Sequence, residues 1–251
     1  KCGIDISSYE LVEAAHSVAS AETAVRLARE GKVEMLMKGS LHTDELMAAV
    51  VKRDTGLRTA RRISHCFIMD VPAIDRVVIV TDAAINIFPT LEDKVHIVQN
   101  AIDLVRALGL EQPKVAILSA METVNAQVPS TIEAAALCKM AERGQITGGL
   151  LDGPLALDNA IDLGAAKIKK ITSAVAGQAD ILVVPDLEAG NMLAKSLSFM
   201  ADADAAGIVL GARVPIILTS RADSVPTRLA SCAVAALFAQ AKRRDPKQGV
   251  V

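Results

Sequence analysis

The sequence predicts an α/β fold in which helices cover mostly parallel β-sheets. Short apolar runs of strand length alternate along the chain with longer segments of helical period. Hydrophobic residues make up 51% of the 251 positions, which is enough to bury a sizeable core. This length fits either one large α/β domain or two smaller lobes.

The apolar runs predict eight strands, and the periodic segments between them predict seven helices. The strands are expected at residues 33–37, 65–71, 76–81, 114–119, 148–152, 181–185, 207–210 and 215–219. The helices are expected at residues 21–30, 43–52, 91–108, 130–143, 159–167, 189–200 and 227–242. The third helix has the clearest limits, because Thr90 and Asp93 form a capping-box pattern and Gly109 is a typical stop.

Composition and charge favour a small-molecule ligand over a nucleic acid or a membrane. The 27 Lys and Arg residues are balanced by 29 Asp and Glu residues, and aromatic residues make up only 2% of the chain. No apolar run has the length of a membrane span and no signal peptide is recognised, so a cytoplasmic location is expected. The four cysteines form no CxxC pair, which argues against a zinc site or a redox dithiol.

Polar residues directly follow four of the predicted strands. Ligands of open α/β sheets bind beyond the carboxyl ends of the strands, so these residues are the first candidates for a binding site. Each of them also has an explanation as a turn former or a helix cap, but their recurrence at four strand ends favours a site. They are Thr81, Asp82 and Asn86; Asp152 and Gly153; Asp186, Glu188, Gly190 and Asn191; and Thr219, Ser220 and Arg221.

The same segments resemble the signature segments of a known enzyme family. The runs at residues 82–86 with Pro89, 152–155 with Asp158, 175–179 and 185–191 are similar to those of phosphate acetyl- and butyryltransferases, in order and in spacing. The resemblance extends to residues 37–39, 207–211 and 215–221 and so covers nearly the whole chain. It is greatest to the butyryl-type and the hydratase-fused acetyltransferase branches.

The resemblance implies two α/β lobes with parallel sheets and a cleft between them, similar to isocitrate and isopropylmalate dehydrogenases. We expect residues 1–57 and 205–251 to form the first lobe and residues 58–204 to form the second. The opening βα units of the first lobe are expected to precede Lys1 and to be missing from this sequence. A homodimer joined mainly through the second lobe is also expected.

The implied reaction exchanges coenzyme A for inorganic phosphate on a short acyl group, either acetyl or butyryl. Coenzyme A is then a substrate, and neither a cofactor nor a metal is expected. By resemblance, Ser220 and Arg221 are the catalytic pair. The guanidinium group would hold the phosphate, and the hydroxyl would donate to the carbonyl oxygen or the thiol.

The sequence offers two ways to activate the thiol of coenzyme A. Acetyl-type relatives have an aspartate a few residues beyond the Ser-Arg pair, and Thr227 occupies that position here. Asp223 is the nearest candidate, although a carboxylate before a helix also acts as a cap. Direct attack by the thiolate is the alternative, because a free thiol needs little help near neutral pH.

Met47 is a second departure from the acetyl-type pattern, which has an arginine on this helix facing the acyl phosphate. The replacement cation would come from Lys38, His42, Arg58 or Arg61. The remaining candidates are polar groups expected to line the cleft. The full substrate-binding set consists of Lys38, Asp82, Asn86, Asp152, Asp186 and Asn191.

Two other functions fit the same fold class. The first is a metal- and NAD-dependent decarboxylating dehydrogenase, although the sequence has no Gly-rich dinucleotide fingerprint. The second is a ligand-binding relative without activity, which the Met47 departure and the missing opening segment would favour. Three histidines, His16, His65 and His96, fall in no pattern that indicates a function.

Overall fold

Eight strands form one sheet in the computed structural model, which describes residues 5–219 and 223–244. The order across the sheet is β1-β8-β7-β2-β3-β6-β4-β5. Each strand coincides with one predicted from an apolar run, with ends that differ by a few residues. The strands are β1 (Leu36–Met37), β2 (Ser64–Asp70), β3 (Val78–Thr81), β4 (Lys114–Leu118), β5 (Leu150–Leu155), β6 (Ile181–Val183), β7 (Asp204–Leu210) and β8 (Ile216–Ile217).

The described ranges contain eight helices, none of which is long and apolar enough to cross a membrane. The predicted helix at 159–167 is two short helices, because Asp162 has an extended backbone and its carboxylate accepts from the Ala165 N–H at 2.6 Å. The helices are α1 (Ser17–Arg29), α2 (Thr43–Val50), α3 (Leu91–Ala107), α4 (Pro129–Glu142), α5 (Leu157–Ile161), α6 (Leu163–Ile168), α7 (Leu187–Met200) and α8 (Val225–Arg244).

The sheet is mixed, and this corrects the predicted fold of two parallel-sheet lobes similar to isocitrate and isopropylmalate dehydrogenases. β1 and β8 are parallel, as are β3, β6, β4 and β5, but β2 and β7 are antiparallel to both of their neighbours. The links at residues 71–77 and 211–215 are too short for a crossover helix, so they join antiparallel strands. The predicted lobes thus share one sheet, and their boundaries stay a prediction.

Helices cover both faces of this sheet, but they cover them differently. Neighbouring residues of a strand point to opposite faces, so Ile208 and Val209 belong to different apolar clusters. On the first face, α3, α4 and α8 pack over one cluster. On the second face, α1 and α2 cover the β1 and β8 end, while α5, α6 and α7 cover the other end. The β2–β7 pair lies between these two groups of helices.

Close packing of α7 against the turn after β3 depends on Gly190. A Cβ atom at this position would lie 2.8 Å from the Asp82 carbonyl oxygen and 2.8 Å from Val184 Cγ2. We expect Gly190→Ala to lower the free energy of unfolding by about 1–3 kcal/mol, because a methyl group there forces backbone to shift.

Urea denaturation would measure this change, and Gly39→Ala is the matched control. A Cβ atom at Gly39 meets no atom within 4 Å, so the control is expected to keep its stability within about 0.5 kcal/mol. Equal stability of the two variants would contradict the proposed tight contact.

Candidate functional site

A cleft with a volume of about 520 Å³ opens between α2 and α7, over the middle of the sheet. We call it the central cleft. Its floor is formed by two residues of β2, and its walls come from the segments that follow β1, β3 and β8 and from the starts of α2 and α7. The lining residues are Lys38, Leu41, His42, Thr43, His65, Phe67, Ala84, Leu187, Asn191, Leu218 and Thr219.

Strands that run in opposite directions contribute to this one cleft. The pairings place β1 and β8 antiparallel to β3, β4, β5 and β6, so the two sets of carboxyl ends point in opposite directions. β8 is only two residues long and begins opposite Val209 of β7, so it ends partway along that strand. The carboxyl ends of β8 and β3 therefore approach each other over the β2–β7 pair.

His65 lies on the floor of the central cleft and is a residue that the sequence analysis did not assign. The residue is 1% exposed, and its Nδ1 has no hydrogen-bond partner among residues 5–219 and 223–244. Burial lowers the pKa of His65 to about 4, against a smaller opposing effect of the Asp82 carboxylate. The imidazole is therefore neutral at neutral pH. Its ring meets Phe67 edge-on, with the centroids 4.4 Å apart.

Lys38 brings an ammonium group to the wall of the central cleft. The residue is only 6% exposed, and its Nζ donates to the carbonyl oxygens of Gly39 at 3.1 Å and Leu41 at 3.2 Å. An ammonium has three N–H donors, so one donor remains beyond these two bonds within the described part of the chain. This arrangement suits an anion such as phosphate.

Asp82 and Asn86 fix the turn that forms one wall of the cleft. The Asp82 carboxylate accepts from the backbone N–H groups of residues 84, 85 and 86 at 3.0, 3.0 and 3.2 Å, and from Asn86 Nδ2 at 2.5 Å. Asn86 Nδ2 also donates to the Ile63 carbonyl at 2.9 Å, and its Oδ1 accepts from Arg62 Nε at 2.8 Å. Both residues are buried and hold Ala84 at the cleft surface.

Asp186 is the N-cap of α7, and Asn191 lies within the helix, five residues further along. The Asp186 carboxylate caps the helix by accepting from the Ala189 N–H at 2.9 Å. Asn191 lines the cleft and donates from Nδ2 to the Ala83 carbonyl at 3.3 Å. Of these two predicted binding residues, Asn191 lines the central cleft, and Asp186 is not among the lining residues.

Asp152 lies apart from the other predicted binding residues. It belongs to β5 at the edge of the sheet, and its carboxylate accepts from the Gly153 N–H at 2.8 Å. Three strand spacings separate β5 from β3, which is about 14 Å at the usual spacing. Asp152 is not among the residues that line the central cleft.

Two of the three predicted catalytic residues, Ser220 and Arg221, lie outside the described residues. Thr219, which precedes them in the sequence, is buried and lines the central cleft. The third candidate, Asp223, is partly buried and precedes α8 by two residues. Thr227, at the position where acetyl-type relatives have an aspartate, has its hydroxyl 3.0 Å from that of Ser224.

The candidate replacement cations differ in their surroundings. Lys38 and His42 line the central cleft. Arg61 instead approaches Asp103 of α3 at 3.5 Å, and Arg58 is exposed and pairs through its backbone with residue 212. Met47 is partly buried and packs against the apolar cluster that α1 and α2 cover.

Two of the three described cysteines, Cys66 and Cys138, are poor nucleophiles in this fold. Burial raises the pKa of both Cys66 and Cys138 to about 12, so both remain thiols at neutral pH. In addition, no group of three or more His, Cys, Asp or Glu side chains within residues 5–219 and 223–244 is placed to hold a metal ion.

Comparison with known proteins yields a consistent set of relatives. The model of the family Phosphate acetyl/butaryl transferase matches residues 8–236. A phosphate acetyltransferase of Rhizobium meliloti is 70% identical over 96% of this chain and 76% of its own length. A phosphate butyryltransferase of Clostridium acetobutylicum is 42% identical over 95% of this chain and 79% of its own length.

Solved structures of phosphotransacylases also match this chain, and the structural matches show which fold it shares. A branched-chain phosphotransacylase from Enterococcus faecalis V583 superposes with a TM-score of 0.84 at 35% identity, covering 91% of this chain and 82% of that one. A 4-hydroxythreonine-4-phosphate dehydrogenase from Klebsiella pneumoniae shares the fold at a TM-score of 0.50 and 14% identity, over 89% of this chain and 70% of that one. These neighbours replace the predicted isocitrate dehydrogenase-like fold.

The buried His65 predicts an acid-sensitive stability. The unfolded chain binds a proton near the ordinary histidine pKa of about 6.5, whereas folded His65 binds it only near pH 4. The stabilisation is therefore complete above pH 6.5 and is lost as the pH falls toward 4. Between pH 7 and pH 5 we expect the wild type to lose about 2 kcal/mol more than His65→Gln loses.

Urea denaturation at several pH values would measure this difference. His96→Gln is the control, because it removes a histidine of α3 that is not among the cleft-lining residues and leaves His65 in place, so the acid-dependent loss assigned to His65 should remain. The same pH dependence in His65→Gln and the wild type would show that His65 is not held neutral.

Proposed function

The chain belongs to the phosphate acetyl/butaryl transferase family, and we infer that it transfers a short acyl group reversibly between coenzyme A and inorganic phosphate. The observation that carries this inference is the family match over residues 8–236, together with 70% identity to a phosphate acetyltransferase. The substrates are then acyl-CoA and phosphate, and the products are acyl phosphate and coenzyme A.

The chemistry sets three requirements in the direction of acyl-CoA. The thiolate of coenzyme A attacks the carbonyl carbon of the acyl phosphate, a C–S bond forms, and the C–O bond to phosphate breaks. The site must take up the thiol proton, stabilise the negative charge that develops on the carbonyl oxygen, and hold the leaving phosphate. All three groups have to lie within one cleft, because the reacting atoms are adjacent.

We assign the phosphate side to Lys38, which has one N–H donor beyond those used by the backbone. Arg221 would add a bidentate grip, and Ser220 would donate to the carbonyl oxygen, as the family resemblance implies. Asp223 is the proposed acceptor of the thiol proton. The Thr219 side chain supports this arrangement, because it lines the central cleft immediately before the Ser-Arg pair.

The turn residues have a supporting part in this proposal. Asp82 and Asn86 use their polar atoms on neighbouring backbone and on each other, and Asp186 caps α7. They position Ala84 and Asn191, which line the central cleft. The dehydrogenase alternative is not favoured, because the likeness to a dehydrogenase extends to the fold alone.

We propose that the protein is a homodimer joined through residues 58–204. Most of α3 is buried within its own chain, so this helix offers little surface to a partner. α7 offers more, because Met192 and Phe199 are seven residues apart on one face and Met200 follows them. Phe199 is 82% exposed and Met200 is 84% exposed, which favours α7 as the contact.

A charge on α7 tests the proposed dimer. We expect Phe199→Glu to give a monomer mass by light scattering at micromolar concentration, because a carboxylate is costly to bury in an apolar contact. Ile168→Glu is the control, since Ile168 is 83% exposed on α6 and should leave a dimer intact. A wild type that is fully active as a monomer would contradict the proposal.

Replacing Lys38 tests the phosphate side of the site. We expect Lys38→Met to raise the KM for acetyl phosphate about 10- to 100-fold, the usual loss for a hydrogen bond to a charged group. The assay follows formation of the thioester from acetyl phosphate and coenzyme A by its absorbance.

Lys52→Met is the matched control, because Lys52 pairs with Glu22 on the surface and should leave the KM unchanged. A wild type without turnover of any short acyl phosphate would contradict the proposed function. An active Lys38→Met variant with an unchanged KM would show that Lys38 does not bind the phosphate. The proposed function would not be affected by that result.

A further inference from the structure

The hydrocarbon chain of the acyl group is a part of the substrate for which the family motifs give no binding residue. If the chain is a phosphate acyltransferase, the acyl carbons must lie beside the carbonyl that reacts, within the central cleft. This cleft has an apolar part, contributed by Leu41, Phe67, Ala84, Leu187 and Leu218, besides its polar groups. The relatives include acetyl- and butyryltransferases, so chain length is the open property.

Phe67 lines the central cleft and keeps part of its apolar surface exposed. It belongs to β2, where it lies opposite Gly207 of β7 on one side and opposite Val80 of β3 on the other. Strands on both sides cover its edges, yet the residue is only partly buried and lines the cleft. Apolar ring surface facing water is unfavourable, and an apolar ligand group that covers it is stabilised.

Gly207 leaves the space that the ring pair needs. A Cβ atom at Gly207 would lie 3.1 Å from His65 Nε2 and 3.7 Å from Phe67 Cε1. The His65 ring contacts Phe67 edge-on, at 68° between the ring planes. Because burial keeps His65 uncharged at neutral pH, the floor of the cleft is an uncharged aromatic pair. Such a floor suits a hydrocarbon chain better than an anion.

Two half-buried leucines border this floor. Leu187 is the first residue of α7, and Leu218 directly follows β8. Both line the central cleft, and they come from helix and strand segments on its two sides. The cleft of about 520 Å³ is also larger than an acetyl group requires, since one water molecule occupies about 30 Å³ in the liquid.

We propose that Phe67, bordered by Leu187 and Leu218, forms the acyl-chain subsite, and that the Phe67 ring limits the length of the acyl chain. The ligand class is a short acyl group of acetyl to butyryl length. This inference rests on the proposed phosphate acyltransferase function. A hydrophobic pocket discriminates by about tenfold or more for each methylene that it gains or loses, so one ring can set the preference.

The test compares kcat/KM for acetyl-CoA and butyryl-CoA, with phosphate as cosubstrate, in the wild type and in variants of Phe67. Phe67→Leu shortens the floor residue and is expected to raise the butyryl-to-acetyl ratio of kcat/KM at least about tenfold. Phe67→Trp enlarges it and is expected to lower the same ratio by a similar factor.

The control and a second variant protect this test against folding effects. Met69→Leu changes a fully buried side chain on the same face of β2, two residues away and outside the cleft, so the ratio should not change. Leu187→Phe narrows the cleft from the α7 side without altering a central strand, and it is expected to lower the butyryl-to-acetyl ratio even if Phe67→Trp does not fold. Circular dichroism and the thermal midpoint report folding for each variant.

The outcomes separate this inference from the function on which it rests. Active Phe67 and Leu187 variants whose two kcat/KM values change by one common factor would overturn the acyl-chain subsite and leave the transferase function intact. A wild type that turns over neither substrate would contradict the transferase function, and the acyl-chain subsite would be rejected with it. A butyryl-to-acetyl ratio of kcat/KM that rises in Phe67→Leu and falls in Phe67→Trp would support the acyl-chain subsite.

Discussion

The antiparallel pairing of β2 with β7 is the constraint on which the rest of the molecule depends. Seven residue pairs, from Ser64 opposite Leu210 to Asp70 opposite Asp204, join β2 to β7. This pair connects β1 and β8, at one end of the sheet, to β3, β6, β4 and β5, which run in the opposite direction at the other end. On one face of the sheet, α1 and α2 cover the β1 and β8 end, and α5, α6 and α7 cover the other end. The central cleft is the gap between these two groups of helices, over β2 and β7.

The position of the cleft over the β2–β7 pair explains which parts of the site are held by regular strand pairing. His65 and Phe67 stand on a strand that is paired along both edges, so the floor is held by two ladders of backbone hydrogen bonds. The charged and polar groups come instead from segments that follow strands or begin helices, such as Lys38 and Asn191. A fixed apolar floor with functional groups on the surrounding connections is a common way to build a site.

The sequence predicted the strands and helices well but not the direction of the strands. Apolar runs such as residues 206–210 are buried on both faces, and such runs look alike in parallel and antiparallel sheets. The usable signal was the length of the links at 71–77 and 211–215, which leaves no room for a crossover helix. His65 and Phe67 were missed because they lie within an apolar strand, whereas the predicted site residues are polar groups that follow strands.

The residues on which the family resemblance rests mainly determine the shape of the backbone. Asp82 and Asn86 hold a turn, Asp186 caps α7, and Gly190 allows α7 to approach that turn. A motif of this kind identifies the cleft, because these contacts hold the backbone segments that line it. It does not specify the hydrocarbon that the cleft accepts, since apolar side chains on the floor contribute area and volume without directional bonds. In this chain, acyl selectivity is therefore assigned to residues such as Phe67, which lie outside the segments that resemble the family.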